Sequence, residues 1–262
     1  MGQATSANRE RVVILGASNV SRSIETLVGL TRQLHPGPLE ILVAAGHGRS
    51  YGNWSSILGR SLPAIRQCGL WERFDRDPDT PTWALVTDIG NDLLYEKPPE
   101  RIAAWVEDCL TRLTSRGARV VLTELPLANL EGLSAARFRF FRTLFVPGCR
   151  LSQQELAERA YRLNELLLQL AASLRISVVA SRSDWYGLDP IHIRYRHVRR
   201  AWSEVLAQWN RASNSAARSR RSWRDVIMLR TRLPAERRLG RITQRHQQPA
   251  FRWSDGTTIG FY

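Results

Sequence analysis

Lysine is almost missing from this chain: Lys97 is the only one among 38 basic residues, and the rest are arginine. The basic balance therefore reads as arginine-rich coding along the whole chain before it reads as a selected phosphate-binding surface. Cysteine is scarce as well. Cys68, Cys109 and Cys149 are odd in number and widely spaced, with no Cys-x-x-Cys pair, which excludes a disulfide framework and a cysteine zinc cluster and fits a reducing cytoplasm. No apolar run approaches the roughly 18 residues that a spanning helix needs. The opening MGQATSANRER lacks the apolar stretch of a secretory signal, so neither membrane insertion nor export is expected.

What is present is the composition of a folded chain: 262 residues, 43% hydrophobic, 8% aromatic and 24% charged, near the globular average. The net charge of +14 is unevenly placed. Residues 211–262 hold twelve arginines against Asp225, Glu236 and Asp255 and so carry +9, leaving +5 for residues 1–210. The chain is expected to divide there, into a core of residues 1–210 and an Arg-rich extension of residues 211–262.

Within the core, apolar runs alternate with helical periodicity. RVVIL (11–15) ends at Gly16 and precedes a helix-compatible stretch from about Val20 to Leu34. LEILVAA (39–45) ends in GHGRSYG, and WALVTDI (83–89) ends in Gly90-Asn91-Asp92. A helix is expected from about Pro99 to Arg116, because Ile102, Trp105, Val106, Cys109, Leu110 and Leu113 recur at helical spacing and Gly117 follows. RVVLTEL (119–125) is a fourth strand. Ser152 and Glu155 form a capping box ahead of a long leucine-striped helix, RISVVA (175–180) is a fifth strand, and a last core helix spans about Ile193 to Trp209.

Five apolar strands joined by segments long enough for crossovers imply an α/β class: a three-layer α/β/α sandwich around a five-stranded parallel sheet, with a small C-terminal extension. Such sheets bind ligands beyond the carboxyl ends of their strands. Those ends carry Ser18, Gly46 to Gly48, Asn91 and the stretch Asp184 to His192. A hydroxyl, an imidazole with a carboxylate three residues ahead of it, and amide donors are the groups that acyl transfer uses.

In this order, Gly16-Ala17-Ser18, Gly46-His47-Gly48-Arg49-Ser50, Gly90-Asn91-Asp92 and Asp189-x-x-His192 resemble the four blocks of the SGNH hydrolases, the GDSL-type esterase and lipase superfamily. The blocks span residues 11 to about 195. The resemblance implies a flavodoxin-like fold and a serine esterase: Ser18 the nucleophile, His192 the general base and then acid, Asp189 its orienting partner. The Ser18 amide, a glycine amide and the Asn91 side chain would hold the oxyanion. Gly48 fits the glycine role better than Gly46 because Arg-Ser follows it, and Gly46 stays open. Neither metal nor cofactor is implied. Ala17 stands where the family usually has Asp, and Asn19 where it usually has Leu. That Asp is not the triad acid, so no chemical role is lost, but what braces the serine turn is left open.

Around these blocks, Trp185 and Tyr186 are pocket candidates by position. Residues 128–150 interleave Phe138, Phe140, Phe141 and Phe145 with arginines, as an amphipathic helix packing on the core or as a pocket wall. His47 and His197 read as solvated or locally satisfied. In the extension, residues 212–221 look like a polar linker, Trp223 to Leu229 like a docking helix, and residues 251–262 like a hairpin turning at Asp255-Gly256. The function expected is hydrolysis of a small or carbohydrate-borne acyl ester in the cytoplasm. The alternative is a polyanion- or nucleic-acid-binding protein that uses the Arg-rich tail around an inactive core.

Overall fold

The apolar run at residues 11–15 has no polar face because it becomes the middle of a sheet covered on both sides. The computed structural model describes residues 9–57, 59–210 and 223–262. In chain order, β1 (Glu10–Leu15), α1 (Ser18–Arg22), α2 (Ile24–Leu34), β2 (Leu39–Ala44), β3 (Ser55–Ile57) and β4 (Arg60–Leu62) lead to α3 (Leu70–Arg76), β5 (Thr82–Val86), α4 (Asn91–Leu94), α5 (Pro99–Thr114) and β6 (Arg119–Thr123). Then come α6 (Leu127–Glu131), α7 (Ala135–Phe145), α8 (Gln153–Ser173), β7 (Ser177–Val179), α9 (Val198–Leu206), α10 (Trp223–Thr231), β8 (Glu236–Leu239), β9 (Ile242–Arg245), β10 (Phe251–Arg252) and β11 (Thr258–Phe261).

The main sheet runs β10-β11-β2-β1-β5-β6-β7. The five expected strands are there and parallel. The C-terminal hairpin adds two more: β11 lies parallel to β2, and β10 closes the edge antiparallel to β11. Alternation along each strand divides the core into two layers. Val13, Leu15, Leu42 and Val86 face α5 and α8, whereas Val12, Ile14, Ile41 and Val43 face α2 and α9. The long helix starts as its sequence dictates: Ser152 Oγ accepts from the Glu155 amide at 3.1 Å and the Glu155 carboxylate from the Ser152 amide at 2.8 Å.

Three departures from the sequence reading have physical causes. The helix expected over 20–34 breaks at Ser23, whose hydroxyl donates to the Asn19 carbonyl at 2.5 Å and accepts from Trp202 Nε1 at 2.7 Å, competing with the helical ladder. A second sheet, β3-β4-β8-β9, is antiparallel and joins residues of the core to the extension. Its strands are three or four residues long, too short for a periodic signal. In the 128–150 segment, α7 buries Phe138 but leaves Phe140 61% exposed against Phe141. The side chain of Phe145 and the expected linker at 212–221 lie outside the described residues. Among the described residues, no helix is long and apolar enough to cross a membrane.

At the opposite end of the sheet from the motif blocks, neighbouring strands share a buried ion pair. Arg11 and Glu40 are register partners, 1% and 4% exposed, with Nε 2.7 Å from Oε2. Arg11 also donates to the carbonyls of Phe74 and Asp77 at 2.9 and 3.1 Å. Glu40 also pairs with Arg73, and Arg11 lies 3.7 Å from Asp77; removing Glu40 leaves buried Arg11 with only that longer and more exposed partner, which costs about 3 kcal/mol. Glu40→Ala is expected to lose that much stability in urea denaturation, and the double variant Arg11→Met/Glu40→Leu to regain most of it.

Candidate active site

β1 has β2 on one side and β5 on the other, so the chain leaves β1 and β5 in opposite directions and a crevice opens beyond their carboxyl ends. Ser18 follows β1 and Asn91 follows β5, and both line one cavity of about 100 Å³ there. The polar end of that cavity is Ser18, Asn19, Asp88 and Asn91. Thr87, Thr123 and Glu124 also line the cavity, together with apolar Leu93, Leu125, Leu130, Leu156 and Ala160. Glycine is required at 16 because a Cβ would lie 2.5 Å from the Val20 side chain and 2.9 Å from that of Thr87. α1 is capped by no side chain. The Ser18 hydroxyl is therefore not spent as a helix cap.

The serine turn is braced from across the crevice by Asp88. Its Oδ2 accepts from the amides of Ala17, Asn19 and Val20 at 2.9, 3.0 and 3.3 Å, and its Oδ1 from Asn19 Nδ2 at 2.8 Å. These are the amides that open α1, which has no earlier carbonyls to satisfy them and favours negative charge at that end. Asp88 sits at φ +58°, a left-handed conformation that aspartate tolerates better than most residues. Sequence reasoning missed it, although it answers the question posed by Ala17: the carboxylate comes from the end of β5 rather than from the serine turn itself.

Asn19 then joins this turn to the terminal block. Its Nδ2 donates to the Ile191 carbonyl at 2.9 Å and its Oδ1 accepts from the Ile193 amide at 2.9 Å, so one side chain grips the backbone on both sides of His192. His192 is 8% exposed, and its Nδ1 lies 2.6 Å from Asp189 Oδ2. Asp189 Oδ1 accepts from the Ile191 and His192 amides at 3.1 and 3.2 Å. Partial burial alone would raise the Asp189 carboxyl, but the bonds from the His192 ring and from those two amides hold it below its ordinary value. The bond between Nδ1 and the carboxylate fixes the orientation of the ring.

The glycine loop is tied to the same helix that begins at Asn91. Buried Asp92 accepts from Ser50 Oγ and from the Tyr51 amide, the latter at 2.8 Å. Tyr95 donates to the Gly48 carbonyl at 2.5 Å. Gly48 has φ +59°, and neither Gly48 nor Gly46 lines the Ser18 cavity. Asn91 Nδ2 is buried with no hydrogen bond among the described residues. Tyr186 lines the cavity, whereas Trp185, 2% exposed, packs behind it against the α2 and α9 layer. His47 is exposed; its pKa is lowered by desolvation first and then by His192, Arg22 and Arg60, which places a second imidazole within the field of the first.

Burial pushes Asp92 up to about 6. The folded state thus binds this proton more tightly than the unfolded chain, and stability from this group falls as pH rises from about 4 to 6. Relative to wild type, Asp92→Asn is expected to gain about 2 kcal/mol between pH 4 and pH 7 from removal of this charge. Urea denaturation of both proteins at the two pH values measures it, and a constant difference would contradict it.

No protein-family model and no curated protein sequence matches the chain. Solved structures do match. The native aryl esterase of M. smegmatis is similar over 76% of this chain and 98% of its own, at 12% identity and a TM-score of 0.52. Its inhibitor-bound form covers the same shares at 12% identity and 0.51. A protein of Agrobacterium tumefaciens str. C58, provisionally named an arylesterase, covers 77% and 98% at 14% identity and 0.50. This likeness shows the fold: the chain shares the α/β architecture of these solved structures, a central parallel sheet flanked by helices.

Proposed function

We propose that the protein is a serine esterase acting on a small or carbohydrate-borne acyl ester, with Ser18, His192 and Asp189 as its triad. The observation that supports this most is the grip of Asn19, the residue after the serine, on both neighbours of His192. Residues 174 positions apart in sequence are held to one rim by a single side chain.

In this reading, Ser18 Oγ attacks the ester carbonyl while His192 Nε2 takes its proton. The tetrahedral oxyanion receives hydrogen bonds from the Ser18 amide, the Gly48 or Gly46 amide and Asn91 Nδ2. Collapse expels the alcohol, protonated by His192, and leaves an acyl-serine. Water activated by the same imidazole then releases the acid and restores Ser18. The buried, unbonded Nδ2 of Asn91 suits the oxyanion role because a donor already stripped of water needs no reorganisation when charge develops. Serine acyl transfer calls for no cofactor, and the cytoplasm is the compartment proposed.

The Ser18 cavity would take the acyl chain. Leu93, Leu125, Leu130, Leu156 and Ala160 offer such a chain apolar contact. Ser18→Ala is expected to abolish hydrolysis and fluorophosphonate labelling, and Asn91→Ala to lower kcat by about 10² to 10³. Undiminished labelling of Ser18→Ala would overturn the assignment.

A further inference from the structure

A second cleft, of about 520 Å³, opens on the other side of β1 from the Ser18 cavity. The two share α1 as their divide. Ser18 and Asn19 face the small cavity, while Ser21 and Arg22 face the cleft. The cleft floor is the loop after β2, with Gly46 and His47. Its outer wall is Arg60 from β4 and Arg230 and Arg232 from the extension. β4 and β8 are paired, so the second sheet joins these two parts of the wall.

The wall holds four arginines and a histidine, and no carboxylate. Elsewhere, much of the arginine surface is neutralised locally, as in Arg66–Asp108, Arg162–Glu100 and Arg200–Glu204. In the cleft, Arg230 is paired with Glu25 at 2.7 Å, and Arg22 approaches Asp189 at 3.8 Å. Among the described residues, neither Arg60 nor Arg232 has a carboxylate within ion-pair distance; Arg232 instead lies over the Phe251 ring. Arginine-rich coding explains the number of arginines but not the placing of Arg60 and Arg232, which have no carboxylate partner among the described residues, beside Arg22 and Arg230 in a concavity next to the His192–Asp189 pair.

We propose that this cleft binds an oxyanionic group, phosphate or carboxylate, carried on the alcohol half of the ester. The inference rests on the esterase reading for the word ester, but the anion site stands on its own geometry. A substrate bonded at Ser18 sends its acyl chain into the Ser18 cavity on the β5 side. Its alcohol then leaves toward the β2 side, where Arg22, Arg60 and Arg232 line the cleft. Guanidinium forks match the planar or tetrahedral oxygens of such a group, and the volume is that of a small-molecule site.

The test compares phenyl acetate, 4-acetoxybenzoate and 4-acetoxyphenyl phosphate as substrates of the full chain, alongside binding of inorganic phosphate and of benzoate by titration calorimetry. The charged esters are expected to exceed the neutral one in kcat/KM by about tenfold or more at low ionic strength, the scale of one charge-assisted hydrogen bond. The gap should shrink as salt screens the cleft. Which charged ester leads identifies the oxyanion. Arg60→Gln/Arg232→Gln should bring the charged-to-neutral ratio toward one and weaken anion binding about tenfold, whereas Arg162→Gln on another face should change neither. Anion binding lost in the double variant, with no ester hydrolysed by wild type, would retire the esterase reading and keep the anion site. Ester hydrolysis with no charge preference and no anion binding would overturn the cleft assignment alone.

Discussion

One carboxylate organises the mouth of the sheet. Asp88 collects three amides of the serine turn and the side chain of Asn19, and Asn19 in turn fixes the backbone around His192. Without a charge at that point, the amides opening α1 would be left unsatisfied beside a partly dry crevice, which is costly for buried donors. Three strand ends are thereby made mutually dependent: the turn after β1, the end of β5 and the loop that follows β7. In the proposed acyl transfer, the groups that must meet would be held by neighbours that do not themselves react.

The same division of labour appears in the glycine loop. Asp92, next to Asn91, is buried and spends its oxygens on Ser50 and Tyr51. The Tyr51 hydroxyl lies 2.7 Å from the Thr87 carbonyl, one residue before Asp88. Arg49 is fully buried and reaches the carbonyl of Pro63 at 3.0 Å and the main-chain oxygen of Tyr262. Residues that look like loop punctuation in the sequence are thus a buried polar network between the central sheet and the C-terminal strands. Such a network rigidifies only when its members are satisfied together.

Much of this was legible in the sequence, for identifiable reasons. α5 and α8 carry long apolar stripes with proline, glycine or a capping box at their ends, and β1 and β2 are buried on both faces, so local pattern and tertiary outcome agree. Asp189 and His192 were legible as a pair because their spacing lies within one short loop. Asp88 was not. In the run Thr87-Asp88-Ile89-Gly90 it looks like an ordinary turn residue, and its importance exists only once β5 lies beside β1. The hairpin at 251–262 could be read from Asp255-Gly256, but its docking parallel to β2 depends on contacts more than two hundred residues away. Trp185, close in sequence to Asp189, is buried in the layer of α2 and α9 and does not line the Ser18 cavity.

The dependence of the serine on its distant brace is most directly measured by the rate at which a fluorophosphonate modifies Ser18 in wild type, Asp88→Ala and Asn19→Ala, with circular dichroism confirming that each is folded. Both variants are expected to react about 10²-fold more slowly, the loss that misplacing a reacting group by about 1 Å produces. Folded Asp88→Ala protein that is modified at the wild-type rate would contradict the central role given to this carboxylate.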